Sequence, residues 1–183
     1  MERGMILKKG ADWLTRQAYG ALEEWVEQAV PKYLRPPGAL EEVAFLATCH
    51  RCGRCAEACA FGVISLAGGE AGVAFGTPAL SPRRAPCRLC LACVEVCPSG
   101  ALRKGPTPRV GIARISRARC MARQGGFCQR CFDECPPAQM AIVLEDLEKP
   151  VVDKERCTGC GACEHVCPVE PAAIRVAPRT TPS

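Results

Sequence analysis

The sequence predicts an α+β fold of four short repeats behind an N-terminal helical extension. Three observations carry this reading. All sixteen cysteines of the 183-residue chain fall in four runs of nearly the same spacing. Each run is followed by a short apolar segment of strand character. The first 45 residues have no cysteine but hold both tryptophans and both tyrosines. Large side chains are otherwise scarce, so the cysteines must supply what an ordinary apolar core would. The 48% hydrophobic fraction excludes a collagen-like or disordered chain. No run of 18 apolar residues exists, so no transmembrane span is expected.

The elements follow in chain order. Residues 1–45 form the extension. Leu14, Ala18, Leu22, Val26 and Val30 recur every four residues and define one helical face, with Glu23, Glu24 and Glu27 on or near the other. Pro31 ends or kinks this helix, and Pro36-Pro37 extends the chain. The helix either packs on the body or docks a partner subunit or a membrane surface through residues 10–34. Residues 46–177 hold the repeats, and 178–183 form a tail. Run one is Cys49, Cys52, Cys55 and Cys59, followed by a strand signal at 62–66. Run two is Cys87, Cys90, Cys93 and Cys97, with its strand at 100–102. Run three is Cys120, Cys128, Cys131 and Cys135, with its strand at 140–144. Run four is Cys157, Cys160, Cys163 and Cys167, with its strand at 172–176.

Runs one, two and four have the spacing C-x2-C-x2-C-x3-C, and run three only lengthens its first gap. This is the bacterial ferredoxin spacing for [4Fe–4S] clusters. A loop with a thiolate every third residue wraps a cubane and reaches three of its irons. The x3 gap throws the fourth sulfur toward a second cluster, and the proline at 98, 136 or 168 stops the intervening helix. Sixteen cysteines at four per cluster give four [4Fe–4S] clusters, with all sixteen as iron ligands. Zinc sites use two C-x2-C pairs separated by a longer loop, and a disulfide framework suits a secreted chain. The architecture is therefore tandem two-cluster ferredoxin-like repeats, short helices and hairpins around clusters. Neighbouring runs can pair, or the pairing can be nested; the linkers allow both.

From Cys49 onward the chain resembles the ferredoxin-type proteins of the NapG/MauM group. The resemblance covers roughly residues 35–177. It includes Arg35-Pro36-Pro37-Gly38-Ala39-Leu40 and the long-gap third run after Arg109-Val-Gly-Ile-Ala. That group is similar to the iron–sulfur β subunits of the dimethyl-sulfoxide-reductase superfamily. The β-subunit resemblance implies nested pairing: Cys49, Cys52, Cys55 with Cys167, and Cys157, Cys160, Cys163 with Cys59. The inner pair would be Cys87, Cys90, Cys93 with Cys135, and Cys120, Cys128, Cys131 with Cys97.

The expected function is electron transfer rather than catalysis. The cysteine count closes every iron, and no phosphate loop, dinucleotide fingerprint or H-E-x-x-H motif is present. Saturated clusters pass single electrons, here between a quinone- or flavin-linked donor and a redox enzyme, with a molybdenum oxidoreductase or a membrane quinone-linked subunit as partner. The alternative is an accessory factor for maturation of a redox enzyme. His50 and His165 are read as residues of solvated cluster loops. Residues 81–130 carry 11 Lys/Arg and one Asp/Glu, a balance of +10. This block either offsets cluster charge or docks an acidic redox partner. It contains only one aromatic residue, Phe127, which argues against nucleic acid. The opening residues show no pair of arginines before an apolar stretch, so the expected location is the cytoplasm, with membrane association through a partner.

Overall fold

The computed structural model describes residues 33–105, 108–136 and 140–178. The helix expected within residues 10–34 and the tail beyond 178 lie outside the described residues, apart from Tyr33 and Leu34. The described chain forms two lobes of like design, each closed around eight cysteines.

In the first lobe, α1 (Glu42–Thr48) starts at Glu41, whose carboxylate accepts the Val43 N–H. It leads into run one and the short helix α2 (Arg54–Glu57). Strands β1 (Ile64–Leu66) and β2 (Pro78–Leu80) then pair as an antiparallel hairpin, Ile64 opposite Leu80. A 3-10 segment at Gly69–Ala74 fills the loop between them. Run two carries α3 (Ala92–Glu95). The lobe closes where Ala39 bridges Leu102, with Leu40 N–H donating to Ala101 O and Arg103 N–H to Gly38 O.

The second lobe repeats this plan with longer strands. β3 (Ile112–Ile115) pairs with β6 (Ile174–Ala177), Ile115 opposite Ile174. Between them lie α4 (Arg130–Asp133) of run three, the hairpin β4 (Ile142–Glu145) with β5 (Lys149–Val152), and α5 (Ala162–His165) of run four. An outer strand pair therefore encloses an inner hairpin in each lobe, the outer pair of the first being reduced to one bridge.

The strands expected after each run form, starting two residues later than expected at three sites and shortened to the bridge at Leu102. β2, β3 and β5 have no counterpart among those four signals. β2 and β5 contain Pro78 and Pro150, and proline demotes a strand reading in sequence. The expected domain boundary at residue 45 falls inside α1, and Phe45 is fully buried. Leu34 and Phe45 pack in one core with Ile64, Leu80 and Leu102, so residues from 33 onward belong to the first lobe.

Both cores are small and built around sulfur. Cys55 and Cys93 sit in the first, and Cys120, Cys157, Cys163 and Cys167 in the second, where the remaining buried positions are mostly alanine and isoleucine. Small side chains let the backbone approach closely, which leaves the central space to the thiols.

Arg35 ties the start of the body to the first hairpin. Its guanidinium is buried and donates to both Glu42 carboxylate oxygens, to Thr77 Oγ1 at 2.9 Å and to Pro78 O at 2.8 Å. It also stacks on the rings of Phe45 and Tyr33. Three residues later, Gly38 has φ +79°, and a Cβ there would stand 2.1 Å from Arg103 O. The Arg35–Leu40 segment is thus a structural clasp.

The lobes meet along the segment before run two. Cys87 N–H donates to Cys160 O at 2.7 Å, and Val110 N–H to Thr158 O at 2.8 Å. Arg83 donates to Glu164 O at 3.0 Å and Cys167 O at 2.6 Å, and pairs with Glu170 at 2.7 Å. Among the described residues no helix is long and apolar enough to cross a membrane.

Candidate iron–sulfur sites

The local backbone explains how one spacing builds one site. In runs one, two and four, the residues on either side of the second cysteine are left-handed. They are Arg51 and Gly53 (φ 54° and 76°), Leu89 and Leu91 (55° and 63°), and Gly159 and Gly161 (74° and 83°). Two left-handed residues in three curl the loop tightly, and the four-residue helix then begins at once, carrying the third cysteine. Glycine takes this backbone without strain in run four, while non-glycine residues cost about 1–2 kcal/mol each. Run three replaces the first curl with a 3-10 turn at Met121–Gln124 that ends on left-handed Gly125. Its longer first gap is the length of that detour.

Three cavities show the grouping. Cys49, Cys52, Cys55 and Cys97 line one. Cys120, Cys128, Cys131 and Cys167 line another. Cys157, Cys160, Cys163 and Cys135 line the third. The remaining four cysteines form the fourth group, in which Cys59 and Cys90 are charge neighbours of Cys87, and Cys87 and Cys90 of Cys93. Each group takes three thiols from one run and one from its neighbour in sequence.

This corrects the nested sets that the β-subunit resemblance implies. Cys167 lies with run three, not with Cys49; Cys97 lies with run one; Cys59 lies with run two; Cys135 lies with run four. The reason is topological. The β1–β2 hairpin folds run two back so that α3 packs on α2, and the β3–β6 pair closes run four onto run three, so that α5 packs on α4.

The donor sets fit [4Fe–4S] clusters. No carboxylate lines any of the three cavities. Among the described residues no three His, Cys, Asp or Glu side chains gather closely enough for a single metal ion. All sixteen cysteines are described, and none forms a disulfide. Four convergent thiols between apolar walls, too wide for one zinc ion, suit a cubane.

Burial pushes the third cysteines up: Cys55 to about 11, Cys93 to about 12 and Cys131 to about 12, with neighbouring thiols adding to the shift. Cys163 rises for the same reasons. Cys97 goes the other way. Burial opposes ionisation there, but the Leu102, Ser99 and Gly100 N–H groups and the Ser99 hydroxyl prevail and lower it. Other sulfurs also accept backbone hydrogen bonds: Cys49 from Arg51 at 3.4 Å, Cys157 from Ala113 at 3.4 Å and Cys167 from Ala173 at 3.3 Å. Hydrogen bonds to sulfur and burial are the protein's means of setting a cluster's potential.

His50 and His165 are exposed, and His165 Nδ1 lies 3.1 Å from Arg83 O. Sequence reasoning passed over Glu164. It is buried between Cys163 and His165, and its carboxylate accepts the Val176 N–H at 2.6 Å, fastening α5 to β6. A charged residue inside a helix of thiols and alanine was the available signal.

These features define an iron–sulfur protein of ferredoxin type, an electron-transfer protein with [4Fe–4S] sites. Two family models agree: residues 48–101 and residues 113–176 each match a 4Fe-4S dicluster domain. Both matches join neighbouring runs, as the cavities do. Over 175 residues the chain is 39% identical to the ferredoxin-type protein NapG of Escherichia coli (strain K12), covering 86% of this chain and 75% of that protein. It is 42% identical over 160 residues to the methylamine utilization ferredoxin-type protein MauM of Paracoccus denitrificans (strain Pd 1222), covering 80% and 71%. It is also 32% identical over 140 residues to the ferredoxin-type protein NapF of Escherichia coli (strain K12), covering 74% and 80%. The chain belongs to the NapG/MauM family of ferredoxin-type proteins.

Proposed function

We propose that the chain carries four [4Fe–4S] clusters held by its sixteen cysteines, relays single electrons through them, and has no catalytic site of its own. The observation that carries this is the sorting of the thiols into four groups of four, with none left over. The bound clusters supply one-electron chemistry. The chain's own residues hold the ligands in place through the left-handed loops, exclude water with the Ala and Ile walls, and offer N–H groups to sulfur.

The relay runs between a redox donor, quinone- or flavin-linked, and an oxidoreductase acceptor. A molybdenum enzyme as the acceptor and a membrane quinone-linked subunit as the donor are the proposed partners. Residues 10–34 and the basic block at 81–130 are the proposed docking elements. The cytoplasm, where thiols stay reduced, is the proposed location.

The test is anaerobic purification of the full chain from native cells. Four clusters predict about sixteen irons and as many sulfides per chain. Co-purifying redox proteins should reduce and reoxidise the clusters reversibly. An iron content near half that value would remove the four-cluster reading. Clusters that no co-purifying redox protein reduces or reoxidises would remove the relay.

A further inference from the structure

The two lobes are joined where two cysteine runs touch. Cys87, the first thiol of run two, donates its backbone N–H to the carbonyl of Cys160, the second thiol of run four, at 2.7 Å. The surrounding contacts hold that junction rigid. Arg83 clamps the carbonyls of Glu164 and Cys167. Pro82 lies so close to Gly161 that a Cβ there would stand 2.4 Å from the proline ring, and a Cβ at Gly159 would stand 2.4 Å from Gly111 N. Glycine at 159 and 161 therefore serves the approach of the lobes as well as the curl of the loop.

No equivalent junction involves the other two runs. Among the described residues, no backbone hydrogen bond joins run one or run three to the opposite lobe's runs. Within the lobes, α2 packs on α3 and α4 on α5, which sets run one beside run two and run three beside run four. The cores respect the same division: those cysteines of runs one and two that pack in a core are in the first, and those of runs three and four in the second.

We propose that the four cysteine groups form one unbranched line in the order run one, run two, run four, run three, crossing between lobes only at Cys87–Cys160. The spatial order thus departs from the sequence order, and the groups of run one and run three, with one neighbour each, are the ends. This rests on the four-cluster reading. Electron tunnelling falls off steeply with distance, so the crossing governs whether the lobes act as one relay or two.

The experiment is electron paramagnetic resonance of the fully reduced full chain, where adjacent reduced clusters split or broaden each other's signals. Four double variants each remove two thiols of one group: Cys49→Ala with Cys52→Ala, Cys87→Ala with Cys90→Ala, Cys128→Ala with Cys131→Ala, and Cys157→Ala with Cys160→Ala. Each should lose about four irons. Loss of the run-two or run-four group should leave one isolated cluster with an unsplit signal; loss of the run-one or run-three group should not. An unsplit signal in the run-one or run-three variant would overturn the order. Arg83→Glu keeps all sixteen thiols and stands in for any variant that fails to fold. It should retain its iron but lose the coupling between lobes, leaving two coupled pairs. A spectrum unchanged from the parent at equal iron content would also overturn the proposal. A parent protein without four coupled [4Fe–4S] signals would refute the four-cluster reading instead.

Discussion

Arg35 carries a positive charge into a site that is 7% exposed and satisfies it with Glu42, Thr77 and Pro78 O. Removing one member of such a network strands the others, which costs about 3–5 kcal/mol. Arg35→Met should therefore lower the apparent thermal midpoint of the iron-loaded protein by roughly 10 °C. Arg35→Lys should recover only part of this, because an ammonium cannot span both Glu42 oxygens and stack on Phe45. Calorimetry of both variants at one scan rate checks the prediction. The Arg35–Leu40 motif was visible in the sequence as part of a resemblance. Its reason was not visible, because Thr77 and Pro78 stand some forty residues downstream.

At the scale of elements, each short helix is too brief to stand alone and depends on what fastens it. A four-residue helix makes barely one turn, and nucleation is unfavourable. In run four the fastening is Glu164, whose carboxylate takes the Val176 N–H of β6. Glu164→Ala leaves that part-buried N–H without its carboxylate partner, a loss of about 1 kcal/mol or somewhat more. Faster hydrogen exchange should then appear at Val176 and Ile174, with little change in the β1–β2 hairpin. Equal exchange in both places would mean that Glu164 does not act locally. The cysteine runs and the strands behind them were legible because spacing and β-branching are local signals. β2 and β5 were not, because each is held by its hairpin partner against the preference of a proline.

At the scale of the molecule, the thiols couple cluster loading to protons. Cys55, Cys93 and Cys131 are raised from 9.0 to about 11 or 12 by burial and neighbouring thiols. A raised thiol pKa favours the protonated folded form. Its contribution to a metal-free fold is complete below pH 9 and is lost as pH rises through 11–12. Iron ligation instead requires thiolate, so loading must expel those protons. Reconstitution at fixed iron and sulfide should release up to about four thiol protons per cluster, in addition to those given up by the hydrosulfide, and proceed further at pH 8.5 than at pH 6.5. A pH-stat titration measures both, and loading that releases no more protons than the hydrosulfide accounts for would contradict the buried-thiol picture.

The sequence by itself determined the site chemistry and the repeat. Four runs with one thiolate every third residue specify iron–sulfur loops, because ligand spacing along a tight turn is a local property. It also determined that each run gives its fourth cysteine away, since the x3 gap places that residue beyond the helix. Which run receives it was decided only in the tertiary structure. The hairpin between runs one and two and the β3–β6 pair bring neighbours together, so Cys97 reaches run one and Cys167 reaches run three. The junction of Cys87 with Cys160 has the same origin, for it joins residues over seventy positions apart through backbone atoms that every amino acid shares.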